Sequence, residues 1–139
     1  MIAELVCVGT ELLLGNIVNT NAAYLAEKCA GLGLSMYYQS VVGDNEERMT
    51  KVIRQAMERS DVVILCGGLG PTQDDLTKEV AAKVMGKKLV EDAHTRKCIQ
   101  EYMDHYLSSH PGLRLTENNW KQAMVPEDAL ILDNANGTA

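Results

Sequence analysis

The chain has no phenylalanine, one tryptophan and five tyrosines, so aromatics make up 4% of its 139 residues. A core without large rings must be filled by Leu, Val, Ile, Ala and Met, and a hydrophobic fraction of 46% is ample for that. No run approaches the about 18 apolar residues that a membrane-spanning helix needs. Met1-Ile2-Ala3-Glu4 lacks the basic region and apolar stretch of a secretory signal. No C-x-x-C pair occurs. Cys7, Cys29, Cys66 and Cys98 are widely spaced, the first three within apolar patterns. They read as free thiols of a reducing, cytoplasmic protein, against a disulfide or metal framework. No cluster of Lys and Arg occurs, and 13 basic against 19 acidic residues give a net charge of −6. That excludes a general nucleic-acid surface. Any anionic ligand must be held locally, by backbone donors, a metal or a few cations. No repeat or low-complexity segment is found, and the length suits one domain over residues 1–139.

What is present centres on Asp61 to Thr77, DVVILCGGLGPTQDDLT. Val62 to Cys66 is a short β-branched run that suits a buried strand. Gly67, Gly68, Gly70 and Pro71 follow. Thr72 with Asp75 then reads as a capping box opening a helix. A strand, a glycine turn and a helix start can hold an anion, because glycines let main-chain N–H groups approach and the helix start has unpaired donors. Two carboxylates, Asp74 and Asp75, share that turn and would repel a bare phosphate. A divalent metal or a protein cation would reconcile them with one. The alternative is an ordinary strand-to-helix connection with acidic residues complementing the helix dipole. The pattern is not a Walker loop, which would need a Lys-Ser/Thr pair, nor is it GxGxxG.

In chain order, Ile2–Val8 is predicted as a strand and residues 9–16 as a loop. A helix follows from Asn19-Thr20-Asn21 to about Leu32, with Ala22, Leu25, Ala26, Cys29 and Leu32 on one face. Leu34–Val42 is a strand whose less apolar first half suits an edge-ward position. Asp44 with Glu47 reads as a second capping box, opening a helix to about Arg59. After the central stretch, a helix runs from Gln73 to about Met85 and stops at Gly86. Strands recur about every 30 residues, as parallel crossovers require. The predicted fold is therefore α/β, an open and mostly parallel sheet with helices on both faces. The loops at 9–16, 43–45 and 67–72 share the carboxyl edge, where such sheets bind ligands. Beyond, Leu89-Val90 reads as a short strand. A helix runs from Asp92 to about Ser108, with Ile99, Tyr102, Met103 and Tyr106 as its apolar face. Thr116–Ala123 reads as a short helix, and Met124–Pro126 and Ala129–Leu132 as extended segments. The chain stops in Asn134-Ala135-Asn136-Gly137-Thr138-Ala139, which reads as a domain truncated at its C-terminal end.

Six motifs together resemble one family. They are VGTELLLG (8–15), NTNAAYLA (19–26), VGDNEER (42–48), CGGLGPTQDDLT (66–77), NNWKQAMVP (118–126) and the terminal NGTA. They closely resemble the N-terminal domain of the competence/damage-inducible CinA proteins, within the wider group of molybdopterin-binding domains of molybdenum-cofactor biosynthesis. The resemblance implies a three-layer α/β/α sandwich and a pocket for a small-molecule nucleotide or pterin phosphate. It also implies a homo-oligomer, dimer or trimer. In the family the terminal motif continues with Pro-Gly, and full-length members usually carry a C-terminal amidase domain that this chain does not contain. The two aspartates that matter in the adenylyltransferase relatives correspond to Asp44 and Asp75. The CinA-type domain is associated with metal-dependent ADP-ribose pyrophosphatase activity. The LLLG loop, and GGLG where many relatives have GGTG, weigh against molybdopterin as the bound cofactor.

The expected function is thus a divalent-metal-dependent (Mg²⁺, Mn²⁺ or Co²⁺) hydrolase of a nucleotide diphosphate. The alternatives are a non-catalytic molybdopterin-type binding domain or a regulatory one. Asp75 and Asp44 are the expected catalytic metal ligands, each otherwise a helix cap. Asp74 either joins them or faces solvent. Gly67, Gly68 and Gly70 would offer N–H groups to phosphate, next to Thr72. Gly9, Thr10 and Glu11 lie at the first strand end, and Glu11 either completes an acidic cluster or is solvated. Lys121 is the candidate cation, otherwise a surface Lys. Asn118 and Gln122 would read base or ribose, with Gly137 in the terminal motif. His94, His105 and His110 show no metal spacing with one another and are left out of the site.

Overall fold

The computed structural model of the protein describes residues 1–110, 117–134 and 137–138. Its elements run β1 (Ile2–Val8), α1 (Thr10–Leu13), α2 (Thr20–Gly31), β2 (Ser35–Val42), α3 (Glu46–Arg59), β3 (Val62–Cys66), α4 (Thr77–Val84), β4 (Leu89–Glu91), α5 (Ala93–Ser109), a 3-10 helix (Glu117–Ala123) and β5 (Met124–Pro126). The main sheet has the order β2-β1-β3, all parallel. β1 is therefore central, pairing Val8 with Val42 on one side and Cys7 with Cys66 on the other. A strand with neighbours on both edges and helices on both faces needs an almost continuous apolar run, and IAELVCV supplies it. β2 lies at the edge, as its composition predicts, and leaves Tyr37, Tyr38 and Val41 exposed.

Successive side chains of β1 go to opposite faces. Val6 and Val8 pack with Val42 and with Met49, Ile53, Ala56 and Val80 of α3 and α4. Leu5 and Cys7 pack with Ala22 of α2, and Leu25, Met36 and Ile64 close around them. Two helices on one face and one on the other give the expected three layers. β4 and β5 form a separate antiparallel pair, Val90 opposite Val125. α5 is tied to the 3-10 helix there, because Arg96 donates to Glu91 (2.7 Å) and lies over the Trp120 ring (4.1 Å).

Several local expectations are corrected. Thr10–Leu13 is a short helix, not a loop. α3 is capped by Asn45, whose Oδ1 accepts from Arg48 N (3.0 Å), not by Asp44 with Glu47. α4 begins at Thr77, not Gln73, and Leu76 at its N-cap offers no side-chain acceptor. On α5 only Ile99 is buried, and Tyr102 and Tyr106 stay exposed. Ala129–Leu132 forms no strand, and Leu130 is 88% exposed. The expected helix start at Thr116 lies outside the described residues.

One residue of β1 breaks its apolar pattern. Glu4 is fully buried, and its carboxylate takes two hydrogen bonds from Arg59 (2.9 and 2.6 Å) and one from Ser60 Oγ (3.0 Å). Arg59 in turn lies 3.7 Å over the Tyr38 ring. The Arg59 hydrogen bonds hold the Glu4 carboxyl below its usual 4.5, against the upward push of burial. A depressed folded-state pKa gives stability that is present above the unfolded value and is lost as pH falls through the folded one. Arg59→Met is therefore expected to lower the urea midpoint at neutral pH, and its deficit relative to the parent should shrink on acidification below about 4.5. Met49→Ala, a core truncation costing about 2–5 kcal/mol, should show a deficit without that pH dependence. Coincident parent and Arg59→Met curves at neutral pH would remove the pair from the fold's stability.

Candidate functional site

Because β1, β2 and β3 are parallel, their carboxyl ends meet at one edge. Gly9 N donates to Val42 O (2.9 Å) and fixes the first loop against the end of β2. Asp44 then closes a latch across the two loops. Its Oδ2 accepts from Thr10 N (2.9 Å) and Thr10 Oγ1 (2.8 Å), so every hydrogen bond made to this carboxylate by a described residue falls on one oxygen. Glu11 folds back over Gly9, where a Cβ would collide with its carboxylate. On the other side of β1, Gly67 (φ 96°) passes so close to the Val8 carbonyl that no side chain fits. Gly68 (φ 62°) approaches Thr77 in the same way. Thr77 is buried, donates through Oγ1 to Gly67 O (2.7 Å) and through N to Gly68 O (3.2 Å), and so pins the turn to the start of α4. Val8, Glu11, Asn19, Asn21, Cys66 and Gly67 line a cleft of about 110 Å³ at this edge.

The glycine turn is closed by a second latch. Asp75 Oδ2 accepts from Thr72 N (3.0 Å) and Thr72 Oγ1 (2.5 Å). A Cβ on Gly70 would lie 2.6 Å from Asp75 Oδ2. Partial burial pushes the Asp75 carboxyl up, but the bonds from Thr72, the nearby Gly70 N–H and the Lys121 charge bring it below its usual 3.8. It is therefore ionised at neutral pH. Asp74 is exposed. The ammonium of Lys121 donates to the main-chain carbonyls of Thr72 (2.7 Å) and Asp75 and lies 3.4 Å from Glu79, so it braces the turn instead of standing free for an anion. Gln122 is buried and donates to Leu69 O (3.2 Å), bracing the same turn. Asn118 is exposed on the 3-10 helix.

Behind the turn lies a mostly apolar cavity of about 200 Å³. Leu69, Lys78, Ile99, Gln122, Val125 and Gly137 are among its walls. Thus Gln122 and Gly137, predicted as site residues, share one cavity with the glycine turn. Lys78 went unnoticed in the sequence, where it is one more Lys near a helix start. Its ammonium donates to the carbonyls of Gln122 (2.8 Å) and Lys121 (3.4 Å), and burial holds its pKa below 10.5. Among the described residues, Asp44, Asp74 and Asp75 do not gather their oxygens as a trio within 4.8 Å of one another. Asp44 belongs to the loop latch and Asp75 to the turn latch. No helix of the described residues is long and apolar enough to cross a membrane.

This geometry can be set beside known proteins. Residues 4–127 match the family model described as "Probable molybdopterin binding domain". A solved structure of the protein CinA from Thermoplasma acidophilum, described as of unknown function, superposes with a TM-score of 0.84 at 34% identity, over 99% of this chain and 78% of that one. The chain belongs to the CinA branch of the molybdopterin-binding domain family. A CinA-like protein of Kosmotoga olearia is 53% identical over 142 residues. A Clostridium beijerinckii protein, competence-damage inducible by name, is 50% identical over 139 residues. Each match covers all of this chain, which spans about a third of those relatives (32% and 33%). The molybdopterin biosynthesis enzyme MoaB of Thermus thermophilus shares the fold, with a TM-score of 0.57 at 17% identity over 90% of this chain and 78% of that one.

The two glycine constraints separate experimentally. At Gly15 (φ 72°) nothing lies within 4 Å of an added Cβ, so Gly15→Ala should cost only the left-handed backbone term of about 1–2 kcal/mol. Gly67→Ala adds a collision with Val8 O and should be clearly more destabilising in urea unfolding. Equal losses at the two positions would show that the turn can move off β1.

Proposed function

We propose that this domain binds a nucleotide or pterin phosphate at the carboxyl edge of its sheet and, with a divalent cation, hydrolyses the pyrophosphate of ADP-ribose or a similar nucleotide diphosphate. The observation that carries the reading is Asp75. It is an ionised carboxylate fixed inside a glycine turn, on the edge that also holds Asp44. Asp44 supports a hard cation in the same way, since Thr10 engages only its Oδ2 and oxygen donors suit Mg²⁺ or Mn²⁺. Asp44 and Asp75 would hold the cation. When bound, such a cation neutralises pyrophosphate oxygens and lowers the pKa of a coordinated water. The residues do the rest. Gly67 and Gly68 let the turn pack directly on the Val8 carbonyl and Thr77, which fixes its backbone at the sheet edge, while Thr72 holds Asp75 within it. Thr77 and Lys121 keep the turn rigid, which limits reorganisation as charge develops. The cavity behind Leu69 would take the apolar or ring portion of the ligand, with Gln122 at its wall.

The family description favours a second reading, a domain that binds a pterin without turning it over. An assay of AMP and ribose phosphate release from ADP-ribose, with Mg²⁺, Mn²⁺ or Co²⁺, separates the two. Turnover by the parent and a fall of at least about 100-fold in Asp75→Asn and in Asp44→Asn, at unchanged circular dichroism, are expected. Undiminished turnover in Asp75→Asn would sink the metal role. A parent that binds a pterin phosphate by calorimetry, with or without metal, and releases no AMP is a binding domain.

A further inference from the structure

We propose that His94, Cys98 and Asp133 form a site for a thiophilic divalent transition metal of the zinc class, on the rim of the 200 Å³ cavity and separate from the carboxylates of the glycine turn. His94 and Cys98 stand four residues apart on α5, which places them one above the other on one helix face. Asp133 comes from the segment after β5. Their ligand atoms all lie within 4.8 Å of one another. His94 Nε2 is 3.6 Å from Cys98 Sγ and 2.9 Å from Asp133 Oδ1.

Those distances can be compared with what tetrahedral zinc needs. Bonds of about 2.3 Å to sulfur and about 2.0–2.2 Å to nitrogen and oxygen put N and S about 3.6 Å apart and N and O about 3.4 Å apart. The His94–Cys98 separation already fits. The His94–Asp133 pair must open by about 0.5 Å, as a hydrogen bond between them gives way to shared coordination. Thiolate with imidazole selects zinc-class ions over Mg²⁺ or Ca²⁺. Binding releases the Cys98 thiol proton to solvent and leaves the His94 ring proton on Nδ1.

Three protein ligands leave a fourth position open. Cys98 and Asp133 both line the cavity, as do Lys78 and Gln122. The open position is thus available to water or to a donor atom of a cavity ligand. The site does not depend on the hydrolase reading, since it uses none of its residues.

Cobalt(II) titration of the reduced protein tests this, because a cobalt–thiolate bond gives a near-ultraviolet charge-transfer band and tetrahedral coordination gives visible d–d bands. The parent should show both, and added Zn²⁺ should abolish them. Cys98→Ser should lose the charge-transfer band, and His94→Ala and Asp133→Ala should weaken Zn²⁺ binding at least about tenfold. All three positions are exposed, so circular dichroism should be unchanged. Asp75→Asn should keep the full cobalt spectrum, which distinguishes this site from the proposed turn metal. No band in the parent would overturn the proposal, leaving only surface hydrogen bonds. A band that survives in Cys98→Ser would overturn it in favour of Cys7, Cys29 or Cys66.

Discussion

From Ala3 to Val8, β1 has no residue more than 2% exposed, and this burial on both faces governs where polarity can go. Main-chain groups are satisfied by β2 and β3, one on each side. Side chains of Val6 and Val8 meet α3 and α4, while Leu5 and Cys7 meet α2. Small and medium apolar residues suffice because no layer contact needs a large ring, which is how the chain forms a core without phenylalanine. The exception, Glu4, is tolerated because Arg59 brings a fork of donors from the end of α3 and Ser60 adds a third. A buried carboxylate with one partner removed would be unstable, so the end of α3 is fixed in angle as well as in contact.

At the opposite end of β1 the same constraint produces the candidate site. The chain must leave β3 and turn over the end of a strand with no side-chain space, and Gly67 meets that demand beside the Val8 carbonyl. The loop after β1 and the loop after β2 are joined by Thr10 and Asp44. The turn after β3 is joined to the 3-10 helix by Lys121 and Gln122. Residues more than 40 positions apart therefore hold one turn rigid, and a cavity opens behind it. The site is a consequence of a parallel sheet whose ends carry glycines and whose outer parts fold back on them.

Much of this was legible in the sequence. The strand-like runs of Ile2–Val8 and Val62–Cys66, the edge character of β2 and the glycine turn all carry local signals, and the structure bears out the fold they predicted. Asn19 and Asp92 cap α2 and α5 as read. What was not legible depended on contacts between distant residues. Nothing near Glu4 announces Arg59. Lys78 looks like any surface lysine until the 3-10 helix brings main-chain carbonyls to its ammonium group, and Lys121, read as a candidate cation for an anion, donates to carbonyls of the turn instead. The β4–β5 pairing joins segments of three residues each, too short to show a period. His94 and Cys98 had the spacing of a helical pair, but Asp133 meets them only through the tertiary fold.

The two misread capping boxes bear on the site itself. Both Asp44 and Asp75 stand at the spacing of a helix cap, and a good N-cap is worth about 0.5–2 kcal/mol. Neither is used so. α3 recovers the contribution through Asn45, one residue on. α4 does not, because Leu76 offers no side-chain acceptor there. The local helix thus forgoes a stabilising contact, and Asp75 is held by Thr72 in the turn instead. A sequence selected for helix stability alone would place its acceptor at position 76. Keeping an ionised carboxylate in the turn, braced by Lys121 through main-chain carbonyls, favours the geometry of the edge over the stability of the helix behind it. The carboxylate that closes the turn is thus held at the sheet edge by the turn itself and not by the helix behind it.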